Sequence, residues 1–207
     1  KHNFPLYYSS YYSFQKNNKK GPLSYWVSNK SKISNELATI LNPFKKILSV
    51  GCGTAIIEKG LLQQLPKDIF IHGIDPYIIK DQEMISSNLK IEKKSIFEIN
   101  SAKYDIVYMN TVDYCLNDKE YKEIVSKNLE LSENGLLLSQ IYIPDLNYLT
   151  SLKYKISTFY KSLPITPYVF WGWLRTLDEH LSLLKQSGYS SFNIGEHSNG
   201  SFWIHAK

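Results

Sequence analysis

The amino-acid sequence predicts an α/β fold in which a mostly parallel sheet ends in one antiparallel hairpin. Three observations support this prediction: an apolar run that enters a glycine turn at residues 47–55, β-rich runs that alternate with helix-length polar segments, and an Asn-Gly turn at Asn199. The first two are typical of parallel strands joined by helices, and the third is typical of a tight hairpin. At 207 residues, the chain is long enough for one sizeable core and too short for two ordinary domains.

Five predicted strands precede the hairpin. They are short, apolar and β-rich, and they are expected near residues 46–50, 69–75, 89–95, 104–110 and 135–143. The hairpin strands are expected near 190–196 and 201–206, on either side of the Asn-Gly turn.

Helices are expected to start at three positions between these strands, Thr54, Tyr77 and Asn117. Asn117 has the strongest start signal, because Glu120 follows three residues later and completes a capping box. A further helix is expected over residues 177–186, with Thr176 as its N-cap.

The segment before the first strand is predicted to be a helical lid, residues 1–43, attached to a single domain over residues 44–207. It contains two amphipathic stretches separated at Gly21-Pro22, and the first stretch is dense in tyrosine. Such a segment is too short to form an independent domain.

The glycine turn and the end of the second strand together predict a nucleoside site. Gly51 and Gly53 lack a Cβ, so the backbone can turn tightly and approach a ligand, while the Asp75 carboxylate can accept hydrogen bonds from two ribose hydroxyls. A dinucleotide site would need a third glycine where Ile56 stands. A ligand with a ribose and no phosphate therefore fits better, and the commonest such ligand is S-adenosylmethionine.

Four motifs in the same order resemble those of the class I S-adenosylmethionine-dependent methyltransferases: Val50 to Ala55, Gly73 to Pro76, Tyr104 to Val107, and Leu131 to Leu138. The resemblance covers residues 44–207 and implies a Rossmann-like sheet of seven strands, helices on both faces, and S-adenosyl-L-methionine as the cofactor. The opening Ile-Leu-Ser-Val and residues 104–118 also resemble, more faintly, the small-amine N-methyltransferases of the histamine type.

The chain departs from the family pattern at three positions. The family usually has an acidic residue where Ser49 stands, a third glycine where Ala55 stands, and often an acidic residue where Ser95 stands. Alanine is small enough to keep the helix close to the strand. Loss of two carboxylates is expected to weaken the hold on the methionine amino group and on the adenine amine, by about 1 to 3 kcal/mol each where buried.

The resemblance and the strand ends together assign candidate site residues. The expected cofactor-binding residues are Ser49, Gly51, Cys52, Gly53, Asp75, Pro76, Ser95, Ile96, Asn110 and Thr111. Asp113 and Tyr114 are the catalytic candidates, because they follow the fourth predicted strand at the edge where open α/β sheets bind ligands. The substrate candidates are aromatic or cationic: Tyr11, Tyr12, Trp26, Trp171 and Arg175.

Composition limits the classes of function. The net charge of +5 comes from lysines spread along the chain, with Arg175 as the only arginine, which argues against a nucleic-acid partner. No apolar run reaches the length needed to span a bilayer, no metal-ligand spacing occurs, and the two cysteines suggest no disulfide, so a reducing cytoplasm is expected.

The favoured function is an enzyme that methylates a nitrogen or oxygen of a small-molecule metabolite. An RNA or protein methyltransferase and a non-catalytic nucleoside-binding module remain alternatives. The first alternative predicts a basic groove and an Asn-Pro-Pro-Tyr-like motif after the fourth strand, where this chain has Asn110-Thr111-Val112-Asp113. The non-catalytic alternative is supported by Ser49 and Ser95, which stand where the family usually or often has carboxylates. The oligomeric state is left open.

Overall fold

The structure, a computed structural model, describes residues 22–78, 83–100, 103–141, 156 and 173–207, and for residues 22–28, 83 and 84 it describes the backbone alone. The strands in this part of the chain are β1 (Lys46–Val50), β2 (Phe70–Ile74), β3 (Glu83–Ser86), β4 (Leu89–Glu92), β5 (Ile106–Asn110), β6 (Leu136–Ile141), β7 (Phe192–Glu196) and β8 (Phe202–Ala206). The helices are α1 (Pro22–Leu41), α2 (Ile56–Leu62), α3 (Asp118–Leu131) and α4 (Leu177–Gln186).

One sheet contains all eight of these strands, in the order β3-β4-β2-β1-β5-β6-β8-β7. The five central strands from β4 to β6 are parallel to one another, and β8 and β7 add an antiparallel hairpin at one edge. The predicted fold class is therefore confirmed. The strand order reverses at β1, so the carboxyl ends of β1 and β5 flank a crevice of the kind that holds ligands in open α/β sheets.

The sheet has one strand more than predicted, because β3 pairs antiparallel with β4 at the other edge. A helix was expected to start at Tyr77, but residues 77 and 78 are not helical and residues 83–86 form a strand. The Asp75 side chain accepts a hydrogen bond from the Tyr77 N–H, which closes a turn there. Asn88 then fixes the link between β3 and β4 by donating to the carbonyl groups of Lys67 and Ile69.

Capping side chains set the starts of α3 and α4 as the sequence predicts. The Asn117 side chain accepts from the Glu120 N–H at 2.9 Å, and the Glu120 carboxylate accepts from the Asn117 N–H at 2.9 Å. Thr176 and Glu179 form the same reciprocal pair at the start of α4. Each pair satisfies two N–H groups that a helix start leaves open, so both helices begin at a defined residue.

Two apolar clusters cover the two faces of the sheet. One lies under α3 and α4, and the other lies under α1 and α2. Ile33, Leu37 and Leu41 of α1 are fully buried in the second cluster, so the second half of this helix is part of the main core. The predicted lid of residues 1–43 therefore includes a core segment, and its residues 1–21 lie outside the described part.

Candidate functional site

The turn after β1 is held against the ends of two neighbouring strands. Gly51 has φ 76° and Gly53 has φ 54°, which is the left-handed region that favours glycine. The Gly51 N–H donates to the Ile74 carbonyl of β2 at 2.8 Å. A Cβ on Gly51 would lie 2.5 Å from the Val112 Cγ2 atom, beyond the end of β5, so the backbone comes close to that segment as well.

Asp75 links this turn to the end of β2. Its carboxylate accepts from the Gly53 N–H at 3.0 Å and from the Tyr77 N–H at 2.8 Å, and the residue is only 3% exposed. Burial raises the pKa of Asp75, and the two N–H groups only partly oppose this effect. Each carboxylate oxygen can accept more than one hydrogen bond, so Asp75 can accept further hydrogen bonds from a ligand.

A cavity of about 230 Å³ opens at the carboxyl ends of β1, β2 and β4, and we call it the edge cavity. Five of the predicted cofactor residues line it: Gly51, Asp75, Pro76, Ser95 and Ile96. Its volume lies below the range of about 300 to 1,000 Å³ that is typical for whole drug-sized ligands. The edge cavity is therefore suited to one part of a larger ligand, with the remainder further along the sheet edge.

The edge cavity also has lining residues that sequence reasoning missed. They are chiefly apolar or acidic, and they include Val112, Leu116, Glu123 and Ile124. Phe97 was considered beside Ile96 from the sequence; it also lines the edge cavity and is 53% exposed. Glu123 and Ile124 belong to α3, and the sequence alone does not show that this part of the helix faces the cavity.

Ser49 is not at the cavity surface. It is 1% exposed, and its hydroxyl donates to the Glu58 carboxylate at 2.6 Å. The Tyr108 hydroxyl donates to the same carboxylate oxygen. A carboxylate therefore lies beside Ser49 after all, because Glu58 brings one there from the first turn of α2. Sequence reasoning missed Glu58 because its side chain reaches back nine residues to Ser49.

Charged groups surround the glycine turn. Burial, together with the nearby Glu58 and Asp75 carboxylates, raises the pKa of the Cys52 thiol. Burial lowers the pKa of Lys30 on α1 to about 8, against the opposing effect of Glu58. The turn is therefore close to two largely buried carboxylates, and Lys30 is close enough to Glu58 to interact with its charge.

Asn110 and Thr111 lie further along the edge, at the end of β5, and contact Gln140 of β6. The Asn110 amide nitrogen donates to Thr111 Oγ1 at 2.8 Å and to Gln140 Oε1 at 3.0 Å. We call these three residues the polar cluster. Gln140 is 3% exposed and was missed by sequence reasoning, because nothing in the apolar pattern of β6 distinguishes it.

The two catalytic candidates do not line the edge cavity, although their neighbours Val112 and Cys115 do. Asp113 is 5% exposed, and its carboxylate lies 3.6 Å from the His180 ring of α4. Burial raises the pKa of Asp113 to about 6. Because this carboxylate faces α4, the structure does not support its predicted contact with substrate. Tyr114 packs against the core cluster below α3 and α4.

Arg175 has a structural position. It is 3% exposed, and its guanidinium donates to the Asp113 carbonyl at 2.9 Å, to the Leu116 carbonyl at 2.6 Å and to the Asp118 carboxylate at 2.8 Å. It also donates to the Trp173 carbonyl at 3.2 Å. The prediction that Arg175 binds substrate is therefore not supported, because its donors are used to fix the segment between β5 and α3.

The remaining substrate candidates cannot be assigned contacts. Tyr11, Tyr12 and Trp171 lie outside the described residues, and Trp26 lies in α1 where only the backbone is described. Within the described part, no helix is long and apolar enough to cross a membrane, and no group of three metal-ligating side chains occurs.

Comparison with solved structures finds similar folds despite low sequence identity. Human N-acetylserotonin methyltransferase in complex with S-adenosylmethionine gives a TM-score of 0.65 at 16% identity, over 85% of this chain and 51% of that one. The magnesium protoporphyrin IX methyltransferase of Synechocystis PCC 6803 with bound S-adenosylhomocysteine gives 0.63 at 14% identity, over 98% and 96% of the two chains. The pyocyanin biosynthetic protein PhzM gives 0.66 at 15% identity, over 94% and 60%.

The chain has the fold of the class I methyltransferases. No family model matches the sequence, and no curated protein compared with it matches. This chain spans about half of the human enzyme's length.

The site of this methyltransferase fold suits an adenosyl ligand. The Asp75 carboxylate and the Gly51 backbone lie at the edge cavity, and most of the other residues that line it are apolar. The Asn110 Oδ1 atom is buried and has no hydrogen-bond partner among the described residues.

Proposed function

We propose that the chain is an S-adenosylmethionine-dependent methyltransferase that acts on a nitrogen or oxygen of a small-molecule metabolite. The observation that carries this proposal is the edge cavity, where the Gly51 backbone and the buried Asp75 carboxylate meet apolar walls at the carboxyl ends of β1, β2 and β4. The known enzymes of the same fold support it, since one is crystallised with S-adenosylmethionine and another with S-adenosylhomocysteine.

The residues of this chain would bind and orient the cofactor. Asp75 would accept the ribose hydroxyls, and Ile96 and Val112 would enclose the adenine. When bound, S-adenosylmethionine supplies a methyl group made electrophilic by the sulfonium. The protein's contribution is mainly alignment in a site that excludes water, and alignment of this kind can supply about 7 to 11 kcal/mol.

The methyl acceptor sets the need for a base. An amine has only to be neutral to attack, whereas a hydroxyl has to lose its proton during transfer. Asp113 was the predicted base. Its carboxylate faces α4 and not the edge cavity, so it is not placed to take that proton. A hydroxyl acceptor would therefore need a base other than Asp113.

Binding of ligands tests the proposal directly. S-adenosylmethionine and S-adenosylhomocysteine should each raise the thermal midpoint of unfolding, and a ligand at about 100 times its dissociation constant should add about 2.7 kcal/mol. NAD should have no effect, because Ile56 stands where a pyrophosphate would need glycine. A shift with NAD and none with either adenosyl ligand would refute the proposal. Mass spectrometry with amine and hydroxyl acceptors then identifies the methylated atom.

We also propose that residues 1–21 act as a lid over the substrate. Deletion of these residues leaves α1 and its buried side chains in place, so S-adenosylhomocysteine affinity should stay within about threefold while methyl transfer falls by at least tenfold. Undiminished transfer would show that the substrate is recognised elsewhere. Both cysteines are free thiols, which supports a cytoplasmic location as a further part of the proposal.

A further inference from the structure

The strand β7 forms an open edge of the sheet. Among the strands that the structure describes, it is the last in the strand order and pairs only with β8. Ser191 and Lys207 exchange both of their backbone hydrogen bonds, at 3.0 and 2.9 Å. Because such bonds alternate along an antiparallel pair, the N–H and C=O groups of Phe192, Ile194 and Glu196 point away from β8. These groups are available to a further strand.

The two edge strands differ in how well they are protected against such pairing. At the opposite edge, β3 has four residues, and its register with β4 shifts between Met84 and Ser86. Short length, register shifts, lysine and proline are common means by which an edge strand avoids another strand. β7 keeps an unbroken register with β8 over its whole length and contains neither lysine nor proline. The β7 edge is therefore the one that can accept a further strand.

The strand β7 is complementary to itself in an antiparallel arrangement. When two copies pair about a two-fold axis at Ile194, Phe192 of each copy lies opposite Glu196 of the other. The backbone groups of all three residues already point outward, so each opposed pair can exchange both of its hydrogen bonds. The register centred at Ile194 therefore uses every outward-facing backbone group of the strand.

The side chains on the α4 side of this edge also match. Ile194 is 37% exposed, while Ile204 beside it on β8 is fully buried, so the apolar layer under α4 continues to the edge. The Lys185 ammonium of α4 lies 5.9 Å from the centre of the Phe192 ring. In the antiparallel arrangement, it would face the carboxylate of Glu196 of the second copy. An apolar pair at the axis would thus have an opposite-charge pair on each side.

We propose that the chain forms a two-fold dimer in which β7 pairs antiparallel with β7 of a second copy, centred at Ile194. The two eight-stranded sheets then continue as one. Because the contact is limited to one strand and its flanking side chains, the interface is small, and we expect a dissociation constant of about 1 to 100 μM. The interface lies at the other end of the sheet from the edge cavity, so this inference is independent of the proposed function.

Sedimentation velocity over about a hundredfold range of protein concentration tests the dimer. The wild type should pass from monomer to dimer as the concentration rises. Ile194→Lys should weaken association by about tenfold or more, because it places two ammonium groups opposite each other at the axis. Ile85→Lys makes the same change on β3, at an isoleucine of similar exposure (36%), and should associate as the wild type does. Circular dichroism checks that both variants are folded.

Charge reversal tests the antiparallel register independently, even if Ile194→Lys does not fold. Lys185→Glu and Glu196→Lys each convert both opposite-charge pairs into like-charge pairs, so each variant alone should associate about fivefold more weakly or less. A mixture of the two variants restores opposite charges on both sides of the axis. It should therefore form mixed dimers with nearly the affinity of the wild type.

Three results would overturn the proposal. A wild type that stays monomeric over the whole concentration range would show that β7 does not pair with itself. Loss of association in Ile85→Lys, with normal association in Ile194→Lys, would assign the interface to β3. A mixture of the two charge variants that associates no better than either variant alone would exclude the antiparallel register centred at Ile194.

Discussion

The edge cavity and the polar cluster lie at the same sheet edge but differ in how completely their polar groups are paired. In the edge cavity, both oxygens of Asp75 already accept backbone N–H groups. In the polar cluster, Asn110 Oδ1 has no partner in the described residues, and the backbone at Thr111 and Gln140 is strained. The edge cavity is therefore preorganised, whereas the polar cluster keeps one unpaired acceptor.

This difference implies that the two regions would contribute differently to ligand binding. A preorganised region binds the part of a ligand that does not change, because its groups need no rearrangement. A region with an unpaired acceptor discriminates strongly between ligands that carry a donor and ligands that lack one. We therefore expect adenosine affinity to come from the edge cavity.

The largest effect should come from Arg175, which supports the segment between the two regions. Arg175→Met removes a charged donor from the Asp113 and Leu116 carbonyls and should lower the free energy of unfolding by about 2 to 4 kcal/mol. Urea denaturation measures this loss, and Arg175→Lys should lose less because one ammonium can serve one of the carbonyls. A full-stability Arg175→Met protein that fails to transfer methyl groups would instead restore Arg175 as a substrate residue.

A second, smaller effect should come from Glu58, beneath the glycine turn. Glu58→Leu leaves the hydroxyls of Ser49 and Tyr108 without their acceptor and should lower the free energy of unfolding by about 2 kcal/mol. In the double variant with Ser49→Ala, the two losses should not add, since one hydrogen bond is removed by both changes. Strict additivity in chemical denaturation would show that Glu58 acts independently of Ser49.

The third effect is a pH dependence from Asp113. Burial raises its pKa to about 6, above the unfolded value of about 3.9, so the folded state holds the proton more tightly. Its contribution to stability is present below pH 4 and is lost as the pH rises through 6. His180 acts in the opposite direction, because burial lowers its pKa to about 3.

Comparison of Asp113→Asn with the wild type isolates this contribution. The stability of the variant relative to the wild type should increase between pH 4 and pH 7 by about 1 to 3 kcal/mol. Thermal unfolding across this pH range measures the difference. A difference that stays constant with pH would mean that Asp113 titrates normally and is not enclosed by α4.

Much of the fold followed from local sequence signals. The capping boxes at Asn117 and Thr176 and the Asn-Gly turn set element boundaries through contacts within a few residues, so the sequence predicts them well. The strand β3 was missed because its formation depends on pairing with β4 and on the turn that Asn88 fixes. Ala55 was expected to be a mild replacement for glycine, yet it adopts the left-handed conformation with φ 57°.

The site was harder to predict than the fold, because side chains from distant positions meet there. The glycine turn and Asp75 can be recognised in the sequence by residue type and spacing. Glu58 and Gln140 do not, since each acts through a tertiary contact with Ser49 or Asn110 that no local pattern encodes. The same limit applies to Arg175, where charge suggested a ligand contact and the structure shows bonds to backbone carbonyls.

Titration of S-adenosylhomocysteine into Asp75→Ala tests the central claim that the edge cavity holds the adenosyl ligand. Asp68→Ala removes an exposed carboxylate and is the matched control, and Asp75→Asn keeps one acceptor for the N–H groups of the turn. We expect Asp75→Ala to weaken binding by about 10- to 150-fold, because hydrogen bonds to a charged acceptor contribute about 1.5 to 3 kcal/mol. Asp75→Asn should be intermediate, and Asp68→Ala should match the wild type. Binding of folded Asp75→Ala within about twofold of the wild type would contradict the account and place the ligand elsewhere.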